Sequence, residues 1–231
     1  MFQPKAGYNP KDAWFRSPYW DREAQADFET HLARSRPFNR RQYRKLKGFA
    51  LLQSDEPGAE AAGYRMLREL LADPDTGEIE RVSVLSQIGA HEHDRGLLDD
   101  AERDLRQAIA TMRPSRSGSN GLEAVRLAEI LLEAGGTTRL EEARRLLEVE
   151  ARRPSIFLSV RFRLCVASAR VLLALGDPRS ATVWAATALD LAAREHSGLA
   201  KHPTLGLVEL DPALRDWLQA LAVASGPRDI Q

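Results

Sequence analysis

A single cysteine, Cys165, stands in 231 residues. One thiol closes no intrachain disulfide, so the fold rests on its apolar core and redox chemistry does not set the compartment. No stretch approaches the ~18 consecutive apolar residues that a membrane helix needs. Period-two runs of β-branched residues of useful length are missing as well, which excludes a sheet and leaves an all-α reading. The 33 basic and 33 acidic side chains cancel, which excludes a chain-wide attraction for nucleic acid or anionic lipid. There is no phosphate loop, no nucleophile elbow and no paired-carboxylate site. No catalysis, cofactor or metal is therefore expected. The segment Met1-Phe2-Gln3-Pro4-Lys5 lacks a charged region followed by an apolar core, so the expected compartment is the cytoplasm.

Small residues, by contrast, recur in a pattern. Ala50 leads to Ala62, Gly89 to Ala101 and Ala169 to Ala181, twelve places on each time. Ala128 to Ala143 reads as a fourth copy with three extra residues in its turn. Glycine or proline fills each gap: Pro57-Gly58, Gly96, Gly135-Gly136 and Gly176. Small residues let antiparallel helices cross near the ~8 Å end of the interaxial range, and repeated close-crossing pairs build a solenoid.

Periodicity and turn chemistry place the elements. Residues 1 to 20 are aromatic and proline-punctuated, with Asn9-Pro10 suited to cap a short helical turn. A helix is expected over Asp21 to Arg34, ended by Pro37. The first pair reads Asn39 to Leu52 and Ala59 to Ala72. The second reads Glu80 to Arg95 and Leu98 to Met112. Arg113 to Asn120 is a polar linker. The third pair reads Leu122 to Ala134 and Leu140 to Ala151, and the fourth Phe157 to Leu175 and Pro178 to Arg194. Asp177-Pro178 and Asp211-Pro212 carry the cap logic of a polar acceptor before proline. A loop from His196 to Leu210 leads to a last helix ending near Ala224, and the tail Ser225 to Gln231 should fray. The expected organisation is an N-terminal extension over residues 1–36, four helix pairs over 37–194, and a loop, capping helix and tail over 195–231.

These residues resemble the tetratricopeptide repeat family. Leu85, Ile88, Gly89, Gly96, Ala101, Leu105 and Ala108 fall on the family's spacing, as do Ala169, Gly176, Ala181 and Ala188. The resemblance covers about residues 39 to 194 and implies a right-handed superhelical solenoid with a concave groove. Two departures stand out. Successive second-helix alanines lie 39, 42 and 38 residues apart, against ~34 in the family, and pairs of the HEAT type, near ~40, remain the structural rival. The aromatic expected late in the first helix is Glu92 in the second repeat.

The resemblance implies a groove lined by Arg44, Lys47 and Leu51, then Ser83, Ser86, Ala90 and His93, then Val125, Arg126 and Glu129, then Arg163, Val166 and Arg170. A line of guanidinium groups suits carboxylate or phosphate. The expected function is a non-enzymatic scaffold or adaptor for a protein or peptide, acidic or with a free C-terminus. The alternative is RNA or another anionic ligand on the run Arg34, Arg36, Arg40, Arg41, Arg44, Lys45 and Lys47, interleaved by Phe38 and Tyr43. Against it stands pairing of that run with the acidic residues of the 55 to 80 segment. His91-Glu92-His93 cannot share one ion, because residues two apart point about 200° apart on a helix. His196 and His202 lack a ligand cluster at metal spacing, and Cys165 reads as a buried small hydrophobe. Trp14, Phe15, Tyr19 and Trp20 either cap the first repeat, with Trp217 at the other end, or fold back into the groove.

Overall fold

The structure, a computed structural model, describes residues 13–113, 118–153 and 155–223. The Asn9-Pro10 cap and the tail lie outside the described residues. Among the described residues there are eleven α-helices and no strand. The chain divides between Ser119 and Asn120 into two compact units, at the end of the stretch read as a linker.

The first unit holds α1 (Ala13–Arg16), α2 (Arg22–Arg34) and two helix pairs. The pairs are α3 (Pro37–Leu52) with α4 (Ala59–Ala72) and α5 (Glu78–Asp94) with α6 (Leu98–Thr111). α4 also packs on α5, and α3 lies beside α5. The second unit holds α7 (Glu123–Ala134) with α8 (Thr137–Ala151), α9 (Leu158–Ala174) with α10 (Pro178–Ala192), and α11 (Pro212–Val223) on α10. Here α8 packs on α9, and α7 lies beside α9. Within each unit, therefore, successive pairs stack in the manner of a helical repeat.

Local chemistry explains the ends. Asp21 caps α2 by accepting the Ala24 N–H at 2.8 Å, Asp177 caps α10 from Ser180 at 3.0 Å, and Asp211 accepts the Leu214 N–H at 3.0 Å. Each satisfies an amide that the first helical turn leaves without an intrahelical partner. Pro37 corrects an expectation: it opens α3 rather than ending α2, which stops at Ser35. Proline at the first helical position loses only an amide that would be unpaired anyway. The turns after α5 and α9 are the same device. Gly96 (φ 73°) and Gly176 (φ 79°) take the left-handed conformation. The next residues, Leu97 and Asp177, donate to the carbonyls of Glu92 and Leu172 at 2.9 Å. That six-to-one bond is a Schellman closure, which only glycine enters without strain.

The small residues lie where the pairs touch, with two corrections. Ala62, Ala101, Ala128, Ala143, Ala169 and Ala181 are all buried, but Ala50 is only half-buried. In the first pair the closest approach falls on Gly48 and Gly63. A methyl on Gly63 would sit 2.7 Å from Leu51 Cβ and 2.8 Å from the Gly48 carbonyl. In the third pair the extra residues do not lengthen the turn. Thr137 to Arg139 instead form the first turn of α8, after a turn of only Gly135-Gly136. Three residues are close to one helical turn, so Ala143 keeps the same face.

Gly63→Ala is expected to destabilise the first unit by about 1–3 kcal/mol through overpacking, because backbone atoms block the new methyl. Gly96→Ala meets open space and only the left-handed backbone cost, about 1–2 kcal/mol. Urea unfolding of both variants checks this; an unperturbed Gly63→Ala would show that the pair does not cross where we place it.

Candidate functional site

The residues expected to line a groove fall into three kinds. Lys47, Leu51, Ser86 and Val166 are buried and present almost no surface. Arg44 and Arg170 are exposed, while His93, Arg126, Glu129 and Arg163 are half-buried.

Burial of Lys47 and Leu51 has a specific cause. Residues 14 to 20 lie against the α3 face. Trp20 packs on the cluster of Leu51, Ala59 and Ala62. Trp14 and Phe15 meet Tyr43 at ring separations of 4.7 and 4.8 Å. The Lys47 ammonium, only 1% exposed, donates to the carbonyls of Ser17 at 2.9 Å and Tyr19 at 3.0 Å. It also faces the rings of Trp20 at 5.3 Å and Phe28 at 5.8 Å, a cation–π arrangement strengthened by desolvation. Burial lowers its pKa to about 8, against the pull of Asp27, Glu56 and Asp21. The aromatic extension therefore covers the positions that were expected to face a groove.

Three further members of the basic run are also engaged. Arg40 donates to the carbonyls of Ala33 and Ser35. Arg41 pairs with Asp73 at 3.2 Å and Asp75 at 3.1 Å, and Lys45 with Glu80 at 3.7 Å. Two cations of the run, Arg41 and Lys45, thus pair with acids of the 55 to 80 segment. Phe38 remains 69% exposed.

In the second unit the structure brings expected residues together. Arg163 on α9 grips Glu129 on α7 with two bonds, 3.0 and 2.6 Å long. This planar fork fixes the two first helices side by side. The Arg170 guanidinium stacks over Trp217 of α11 at 5.5 Å. Exposed and held by an indole face, it pairs with no acid among the described residues.

One cluster was not anticipated. Glu92, 0% exposed, accepts from Tyr64 and from Arg68, both at 2.6 Å. The same Arg68 reaches Asp104 Oδ2 at 2.5 Å, while Arg103 donates to Asp104 Oδ1 at 3.1 Å. α4, α5 and α6 are thereby joined through one guanidinium between two buried carboxylates. Burial lifts the Glu92 carboxyl above its ordinary range, and the Asp104 charge adds to the shift. The signal was present in the sequence as an acid at the place where the repeat pattern carries an aromatic.

Two clefts accompany these groups. In the first unit, Glu60, Tyr64, His91 and Arg95 surround an open hollow of about 660 Å³, where Glu60 pairs with both Arg95 and His91. In the second, α8, α9 and α10 enclose a smaller cleft of about 180 Å³. Among the described residues no three His, Cys, Asp or Glu side chains gather as a metal ion would require. The loop holding His196 and His202 is closed by its own bonds, Ser197 donating to the Pro203 and His202 carbonyls. Cys165 is buried, and burial raises its thiol to about 11. No helix among the described residues is long and apolar enough to cross a membrane. No protein-family model, curated protein or solved structure matches the chain.

Two predictions follow from the buried charges. Lys47→Met should cost about 1–3 kcal/mol at pH 7, because two carbonyls lose their donor. Between pH about 8 and the ordinary lysine value of 10.5, the unfolded chain binds a proton that the folded chain has released. Stability contributed by this site therefore rises with pH across that window. The advantage of wild type over Lys47→Met should widen there in urea titrations; a constant gap would contradict it.

Arg68→Met strands two buried carboxylates and should cost about 3–5 kcal/mol. A raised Glu92 pKa means that the folded chain holds a proton the unfolded one lacks, so acidification through that pKa stabilises the variant. Adding Glu92→Gln should restore much of the loss at pH 7 and remove that pH response. Urea midpoints at pH 7 and 5 decide it, and no recovery in the double variant would refute the network.

Proposed function

We propose that the chain is a non-enzymatic scaffold or adaptor of the tetratricopeptide type, its helix pairs forming a right-handed solenoid that holds a protein or peptide. The observation that carries this reading is the side-by-side placement of first helices, α3 with α5 and α7 with α9. Such helices form a continuous ribbed face, and repeat proteins use faces of this kind for extended ligands. On the α7–α9 face Arg170 is exposed, held by Trp217, with Arg126 also on α7. A fixed guanidinium beside an indole suits a carboxylate carried on an apolar residue, such as a peptide C-terminus or an acidic stretch. Arg163 belongs to the frame in this reading, because Glu129 already satisfies it. The expected compartment remains the cytoplasm.

The alternative of RNA on the 34–47 run draws less support. Arg41 and Lys45 are paired with acids and Lys47 is buried, which takes three of the run's seven cations away from counterion release on phosphates.

A library of peptides differing in acidic residues and in a free or amidated C-terminus tests the proposal. Wild type should select acidic or free-carboxylate members, and the combined Arg126→Glu and Arg170→Glu variant should lose them by about tenfold or more, with its circular dichroism unchanged. Retention of every selected peptide by that variant would refute the assigned face. Capture of RNA with steep salt dependence would favour the alternative.

A further inference from the structure

The cleft between α8, α9 and α10 carries an observation that the scaffold reading does not use. Ser168 lines it from α9, and its hydroxyl is buried with no hydrogen-bond partner in the structure. The residue is 4% exposed. A helical serine ordinarily satisfies itself on the carbonyl one turn back, and a buried hydroxyl left unpaired is costly. Ser168 lines a cavity of about 180 Å³. The volume is too small for a drug-sized ligand and suits the end of one side chain.

The surrounding charge and shape define what would enter. Trp184 and Leu172 supply apolar wall. Asp177 and Glu148 contribute carboxylates, and Arg144 is the one cation among the lining residues. Arg144 is already matched within its own helix, by Glu141 at 2.8 Å and Glu148 at 3.4 Å. Among the lining residues one guanidinium stands against two carboxylates, and the local balance is negative. Asp177 stays ionised, because the Ser180 hydrogen bonds hold its carboxyl below the ordinary range. An indole wall, a hydroxyl acceptor and excess carboxylate together form the environment of a cation on an apolar stem.

We propose that this cleft is a binding pocket for a guanidinium or ammonium group on a short alkyl stem, with the Ser168 hydroxyl accepting from the cation, Trp184 flanking the stem and Asp177 and Glu148 balancing the charge. The cation is either a free small molecule or a lysine or arginine side chain of a bound peptide. The pocket lies wholly within the second unit and is independent of the carboxylate-binding face, so either assignment stands or falls alone.

The experiment titrates the full-length protein with butylguanidinium, with N-acetyl-arginine methylamide and with the neutral analogue butylurea. Binding is followed by the indole N–H resonance of Trp184, identified by its absence in Trp184→Phe. Both cations should give saturable shifts, with half-saturation at about 1–10 mM, as ligands of this size reach. Butylurea should bind at least about tenfold more weakly. Asp177→Asn keeps the helix cap, since asparagine caps as well as aspartate, and should weaken both cations by about tenfold. Ser168→Ala should weaken them about threefold. Tighter binding of butylguanidinium would assign the free small molecule, and tighter binding of the arginine derivative the peptide side chain. Equal binding of butylurea, unchanged affinity in Asp177→Asn, or no saturable shift with either cation would overturn the proposal.

Discussion

Contact between helix backbones with almost no side chain between them is the constraint on which the first unit depends. Gly63 has the Gly48 carbonyl where a methyl would be, and Gly89 lies directly under Leu105. A pair joined this closely has little freedom to slide, because any shift drives backbone into backbone. It also leaves no path for water. Polar groups that the sequence places near such a seam must find partners inside the protein, as Glu92 Oε1 does in Tyr64 and Arg68, although Glu92 Oε2 has no hydrogen-bond partner among the described residues.

The buried charges show two solutions to that demand. Lys47 is solvated by main-chain carbonyls and ring faces rather than by an acid, so its ammonium remains desolvated and easily deprotonated. Glu92 and Asp104 share Arg68, with Arg103 also on Asp104, and burial together with the Asp104 charge lifts Glu92. Replacing a whole arrangement by apolar groups would cost little, since desolvation offsets most of the attraction, whereas removing one partner leaves the other buried and unpaired. What they add is geometry. Lys47 fixes residues 17 and 19 on α3, and Arg68 fixes α4 against α5 and α6. This joins the two expectations for the aromatic extension: residues 14 to 20 cover an end of the first unit by occupying α3 positions that had been assigned to a groove.

Much of the helical layout was legible. The ends of α4, α6, α10 and α11 follow from proline, glycine and aspartate, whose effects are local. The misreadings share a different origin. Pro37 permits two readings, an end or a beginning, and only the cap at Ser35 separates them. Ala50 and Ala62 matched a spacing, yet Gly48 and Gly63 make the contact, because the six-residue turn after Leu52 shifts the pair. Burial of Lys47 was invisible, since it depends on a segment thirty residues away. Glu92 was legible as an anomaly but not as a network, because Tyr64, Arg68 and Asp104 lie on other helices. Ser168 gave no signal at all: serine in an alanine-rich helix reads as a small residue until the cavity beside it is known.

The ion pairs also bear on the disagreement over repeat length. Arg41 with Asp75, and Glu129 with Arg163, join residues 34 apart, and Glu60 with Arg95 joins residues 35 apart. The alanines of successive second helices lie 38 to 42 apart. The two measures refer to different things. The alanine spacing includes every residue of the intervening turns, and from Ala101 to Ala143 it also includes the extra helical turn that opens α8. The ion pairs bridge elements already side by side, and across α7 and α9 the 34-residue offset is that of neighbouring first helices. The 34 residues from Glu129 to Arg163 include the extra turn that opens α8, so the contact forms with that turn in place. Neighbouring first helices therefore meet at a 34-residue offset although the second-helix alanines are spaced more widely.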